Sequence, residues 1–342
     1  MQKPIIYPAE WEQQSAVQIA WPDPHTDWAN MLDEVERCFA QIALEISKRQ
    51  GLIVCCETPD TVRPKLAQCR PENIRYVATR HNDTWARDFG GITIYEGGEP
   101  RILDFTFNGW GLKFAANHDN QITRHLAEQG IFRSGIPLRN FKKYALEGGS
   151  MESDGQGTML TTEECLLNVN RNSWMDKNEI EQMLKDTFGL SQVLWLKNGY
   201  LAGDDTDSHI DTLARFCSPS SIAYVKCEDE KDEHFTALAT MEAELKTFKQ
   251  LNGAPYELIP LPMAEAVYFE GHRLPATYAN FLIINGAVLV PTYQTKTDAQ
   301  ALKKLQKAFP DREIVGVDCS PLIKQHGSLH CVTMQYPNGV VN

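Results

Sequence analysis

The sequence predicts an α/β protein in which five similar units follow one another and close into a ring. Five stretches space their apolar residues as amphipathic helices do, a short β-rich run follows each of them, and hairpin-like strand pairs fill most of the intervals. One pair is missing from the linear order. It is supplied if VTMQY, from 332, pairs with AVQIAW, from 16, and that pairing of N- and C-terminal strands closes the ring. Residues 1–342 are thus expected to form one domain of five ββαβ-like units, each of about 60 to 70 residues.

The first helix is expected over 30–49, where Met31, Val35, Cys38, Phe39, Ile42 and Ile46 recur at three- and four-residue steps before Gly51. Further helices are expected near 117–129, 174–188, 233–251 and 297–308, with Thr297 and Gln300 as a capping box for the last. The β-rich runs that follow are LIVCCE from 52, NFKKYAL from 140, QVLWL from 192, YELIPL from 256 and EIVGVD from 313. Hairpins are expected in ITIYEGGEPRILDF from 92, turning at Gly97 and Gly98, in GTMLTTEECLLNV from 157, turning near Glu163, and in ARFCSPSSIAYVKC from 214. In FLIINGAVLVP, from 281, Asn285 and Gly286 are the pair that a type I′ turn favours.

Composition narrows the function. With 42% hydrophobic and 23% charged residues the chain reads as globular, and 45 acidic against 33 basic residues leave a net charge of −12. That balance argues against nucleic-acid and anionic-membrane partners and permits, without demanding, a small cationic substrate. No apolar run approaches a membrane span and the start lacks a secretory pattern, so a cytoplasmic protein is expected. The nine cysteines form no Cys-x-x-Cys pair and should be mostly reduced and buried. A homo-oligomer is compatible with all of this.

Just before each proposed hairpin stands a polar segment: NDTWARD from 82, LEGGS from 146, GDDTDSHID from 203, ATYAN from 276 and HGSLHC from 326. A ring would gather these loops at one end, bringing Asp88, Glu147, His209, Asp211, Asn280 and Cys331 into one pocket. Separated carboxylates suit a planar guanidinium, which each can take through paired hydrogen bonds. A thiolate is the strongest side-chain nucleophile near neutral pH for the central carbon, and His209 could shuttle protons. Such chemistry needs no metal or organic cofactor. Plainer readings stand beside it. Cys331 could be structural; His326, His330 and Cys331 could be zinc donors, although Gly327 and Ser328 disfavour the helix that would align them. Asp204, Asp205 and Asp207 could be a solvated acidic loop or a calcium site, but not an EF-hand, for want of the central Gly and terminal Glu.

At these residues the sequence resembles the agmatine deiminase and bacterial peptidyl-arginine deiminase family of guanidine-modifying enzymes. The blocks YPAEWEQQSAVQIAWPDP, NDTWARD, LEGGS with DGQGT, GDDTDSHID, YANFLIINGAVLVP and GSLHCVTMQYP occur in that order along nearly the whole chain. The resemblance implies a five-bladed α/β propeller of pentein type with pseudo-fivefold symmetry. It implies Cys331 as nucleophile, His209 as general acid/base, and Asp88, Glu147 and Asp211 as guanidinium-side carboxylates. Trp85 corresponds to a pocket-wall aromatic, and Asp205 to an acidic residue near the substrate tail; Asn280 is expected to contact substrate. The reaction implied is hydrolytic deimination of agmatine to N-carbamoylputrescine and ammonia. The alternatives are arginine or peptidyl-arginine as substrate, an amidinotransferase, or a non-catalytic propeller that binds a polyamine or a protein. Two departures from the family pattern bear on tail specificity: Asp207 and Ser208 stand where Asn and Gly are common, and the loop before His330 is short.

Overall fold

The computed structural model describes residues 3–341 as an α/β protein. Its described strands form five sheets of three or four strands and one two-stranded hairpin, Tyr268–Phe269 with His272–Arg273. Each of the five sheets repeats one order, an antiparallel pair followed by a parallel neighbour. Ile92–Glu96 lies antiparallel to Glu99–Thr106, which lies parallel to Leu138–Ala145. The same holds for Glu152–Ser153, Thr158–Thr162 and Gln192–Leu196, for Ala214–Ser218, Ser221–Lys226 and Glu257–Pro262, and for Leu282–Ile284, Ala287–Thr292 and Glu313–Asp318. In the remaining sheet Met334–Pro337 supplies the antiparallel edge to Gln14–Ala20, with Met334 opposite Gln18 and Tyr336 opposite Ala16; Gly51–Cys56 follows in parallel.

The parallel step in each sheet requires a crossover, and helices provide it. They run over Leu32–Ser47, Asp119–Glu128, Lys177–Phe188, Phe235–Leu245 and Asp298–Ala308. The first buries Val35, Cys38, Phe39, Ile42, Ala43 and Ile46, the stripe its spacing predicts. Central strands are buried on both faces, as in Ile53–Val54 and Val288–Val290. No helix among the described residues is long and apolar enough to cross a membrane.

Three local expectations fail, each for a visible reason. Thr158–Thr162 does not turn back at Glu163. Thr162 caps a helical turn, Glu163–Leu166, by accepting from the Cys165 amide, and the antiparallel partner lies upstream at Glu152–Ser153. Of Asn285 and Gly286 only the glycine takes positive φ, 73°, so the turn is not type I′. Asn285 instead uses its amide on the neighbouring strand, accepting from the Gln14 amide at 3.0 Å and donating to the Gln14 carbonyl at 2.8 Å. Thr297 makes no capping bond; its hydroxyl meets Tyr278 at 2.8 Å. A complete capping box occurs at Asp176 and Glu179.

Candidate active site

Each of the five sheets is preceded by a polar segment, and the segments converge. The helical turn Ala86–Phe89 carries Asp88, and its Arg87 amide donates to the Cys331 carbonyl at 3.1 Å, tying two of the segments together. The Gly148–Ser150 turn sends the Gly149 amide to Asp88 Oδ1 at 2.9 Å. Asn280, fully buried, accepts from the backbone amides of His330 at 2.9 Å and Cys331 at 3.4 Å; its Oδ1 also lies 3.4 Å from Cys331 Sγ.

Glycine is required where these segments touch. A Cβ on Gly149 would stand 2.5 Å from His209 Nδ1 and 2.8 Å from Asp88 Oδ1, and one on Gly148 would stand 2.2 Å from the Arg87 carbonyl. Replacing Gly149 by alanine is therefore expected to displace the imidazole and lower kcat about 100-fold, the usual cost of a misplacement near 1 Å. Steady-state assay beside a thermal melt checks this: a loss of turnover without a comparable loss of stability is the expected outcome.

A cavity of about 160 Å³ opens at this junction, lined among others by Asp27, Asp83, Trp85, Asp88, Asp205 and Cys331. The expected residues divide into two groups. Cys331, Asp88, Trp85 and Asp205 line the cavity; His209, Glu147, Asp211 and Asn280 stand behind it, each at most 1% exposed. Both oxygens of Glu147 are taken by neighbouring side chains. One of its oxygens meets His209 Nε2 at 3.0 Å, and Arg171 Nε approaches both, at 2.9 and 3.1 Å. Asp211 keeps one buried oxygen, Oδ1, without a hydrogen-bond partner.

The electrostatics follow from this crowding. Burial pushes the Asp88 carboxyl up to about 6, with Asp211 and Glu147 adding to the rise against the pull of His209. Burial opposes the charged form of His209, yet Asp88, Cys165 and Glu147 together hold it well above its usual range. The Cys331 thiol is raised by burial and then by Asp211 and Asp88. Elsewhere on the cavity wall, burial and neighbouring Asp27 push Asp83 up to about 7.

Several residues of the site carry no local sequence signal. Trp110 donates from Nε1 to Asp88 Oδ2 at 3.0 Å and lines the cavity with Phe114. It sits in a left-handed turn: Gly109, Trp110, Gly111 and Leu112 all have φ between 54° and 83°, and the Asn108 side chain accepts from the Gly111 amide. The flanking glycines in FNGWG are the one hint the sequence offers. Arg171, besides Glu147, binds Asp207 at 2.6 Å, and Lys113 reaches the same carboxylate at 2.8 Å. Asp207 and Ser208 both have positive φ, 65° and 59°, which explains why Asn and Gly suit those positions; here the two cations pin the turn.

Comparison with known proteins bears on the family of the chain. Residues 6–337 match the family model of Porphyromonas-type peptidyl-arginine deiminases. A solved structure from Porphyromonas gingivalis, described as a candidate arginine deiminase, is 54% identical with a TM-score of 0.95, covering 99% of this chain and 100% of its own. A C. jejuni agmatine deiminase, solved with substrate bound to a Cys-to-Ser variant, is 39% identical with a TM-score of 0.92, covering 98% and 97%. The agmatine deiminase of Pseudomonas aeruginosa is 31% identical over 96% of this chain and 95% of its own. The shared blocks, the fold and the full-length match lead to one conclusion: the chain belongs to the Porphyromonas-type peptidyl-arginine deiminase family.

Proposed function

We propose that the protein is an agmatine deiminase, a hydrolase that converts agmatine and water to N-carbamoylputrescine and ammonia. The observation that carries this reading is the cavity lining. Asp27, Asp83, Asp88 and Asp205 surround the way to Cys331, and no lysine or arginine lines it. A ligand cationic at both ends suits such a lining; the carboxylate of arginine would meet four acidic side chains there. Relatives that carry the name agmatine deiminase support the choice.

In this mechanism Asp88 and the free Oδ1 of Asp211 hold the guanidinium against Cys331. Arrival of the cation offsets the two charges that add to burial in raising the thiol, which favours the thiolate, and the thiol proton leaves to solvent. Sulfur bonds to the guanidinium carbon, His209 protonates one nitrogen, and the C–N bond breaks to release ammonia. Water, deprotonated by His209, then adds to the S-alkylthiouronium carbon; the C–S bond breaks and returns the thiol with the ureido product. Glu147 and Arg171 act through His209, fixing its ring.

The five sheets, each opened by one site segment, support a five-bladed propeller with pseudo-fivefold symmetry, closed by the pairing of Met334–Pro337 with Gln14–Ala20, as one catalytic domain. Nine free, buried thiols fit a reducing cytoplasm.

The decisive experiment is ammonia release from agmatine, arginine and arginine peptides. The expected kcat/KM favours agmatine by roughly 100-fold or more; equal or faster turnover of peptides would overturn the substrate assignment. A pH profile tests the carboxylates. Asp83 titrates at about 7 and Asp88 at about 6, both raised, so each loses charge as pH falls through its value and ceases to attract a cation. kcat/KM for agmatine should therefore fall on the acid side from about pH 7, and Asp83→Asn should remove the upper part of that limb.

A further inference from the structure

His330, next to the nucleophile in sequence, lies in a buried file of charged groups that the mechanism above leaves unused. Its Nδ1 meets Asp211 Oδ2 at 2.7 Å and its Nε2 meets Glu10 Oε2 at 2.7 Å, with the ring 1% exposed. Glu10 comes from the other end of the chain and is itself fixed. Its Oε2 also takes Arg215 Nη2 at 2.9 Å, and its Oε1 accepts from the Ile283 amide at 2.7 Å. The ring cannot turn without breaking a contact with a carboxylate at each nitrogen. Glu10, Glu152 and His330 cluster as metal donors would, but Arg215 donates to both carboxylates, and its cation occupies the place an ion would need.

Asp211 is where this file ends. A carboxylate rotates readily about its terminal torsion, and Asp211 Oδ2 lies 3.9 Å from Cys331 Sγ. Fixing Oδ2 on His330 fixes Oδ1 as well, because the group is planar, and Oδ1 is the buried oxygen without a partner. We propose that His330, braced by Glu10, is a positioning residue that locks the Asp211 carboxylate with its free oxygen aimed at the substrate guanidinium. The proposal rests on the reading that Asp211 binds that guanidinium.

The test compares His330→Ala, His330→Asn and Asp211→Asn in the full chain. Asparagine places an amide N–H close to the position of Nδ1, so it can keep the bond to Asp211 while losing Glu10. Agmatine binding is measured by calorimetry in a Cys331→Ser background and turnover in the Cys331 protein, with near-ultraviolet circular dichroism to verify folding. His330→Ala is expected to weaken binding about 10- to 100-fold, with KM rising more than kcat falls, and His330→Asn to recover at least about tenfold of the loss. An alanine variant that binds as the parent does, or an asparagine variant no better than alanine, overturns the proposal. Unchanged binding in Asp211→Asn would instead reject the underlying assignment of Asp211, and ammonia release from arginine peptides alone would reject agmatine; the His330 comparison then runs on those peptides.

Discussion

A Cys331→Ser protein is expected to release ammonia from agmatine at least about 10⁴-fold more slowly than the parent, because the reaction has no second route to the guanidinium carbon. The thiol lies at the cavity wall, 5% exposed, close to Asn280 and the two carboxylates that would hold the substrate. Those carboxylates add to burial in raising the thiol, and the substrate cation would offset their part. A serine hydroxyl starts from a far higher pKa, so the same offset leaves it protonated. Binding should survive, since the oxygen fits where sulfur did. Acid quench and mass measurement of the parent during turnover should show an adduct on Cys331, absent from the variant. Turnover by Cys331→Ser within tenfold of the parent would sink the covalent mechanism.

The largest effect on stability is expected from Arg215→Met. Arg215 is fully buried, stacks over Phe281 at 4.7 Å, donates to Glu152 and Glu10, and satisfies the Phe281 carbonyl at 2.6 Å. Methionine restores the volume but leaves Glu10 and Glu152 near each other without their shared cation. Breaking a buried pair this way costs about 3–5 kcal/mol, a large part of the ~5–15 kcal/mol that separates a folded domain from its unfolded chain. Urea unfolding measures it. The sign with pH is set by the stranded carboxylates: Glu152, already raised mainly by burial, accepts a proton more easily still once the cation is gone. The deficit should therefore be smaller at about pH 5 than at about pH 8. A midpoint equal to the parent's at both pH values would show that the network contributes nothing.

What could be read from the sequence is what local chemistry writes locally. The helix stripe of Val35, Phe39, Ile42 and Ile46, and the strands after each helix, follow from periodicity that spans several residues. Glu152–Ser153 is too short a strand to show alternation, so the sequence pairs Thr158–Thr162 with a downstream neighbour that is in fact a helical turn. The polar segments stand out in the sequence because each holds an unusual density of functional groups, and the fold brings them together. Which groups within them pair is not legible there: Arg171, 24 residues from Glu147, binds it, and no local pattern links the two. Glu10 and His330 are 320 residues apart, and nothing near either one announces the other.

The left-handed turn at Gly109–Leu112 has a consequence for how this protein can change over generations. At Trp110 the backbone favours Gly, Asn, Asp or His, whereas the contact with Asp88 uses an indole N–H, so most substitutions lose either the turn or the contact. Gly109 is equally boxed in, since a Cβ there would stand 2.1 Å from the Phe114 carbonyl. Change at this wall of the cavity is thereby constrained, and a graft of the segment from 108 to 114, rather than a series of point changes, is the route by which the wall over Asp88 is open to redesign.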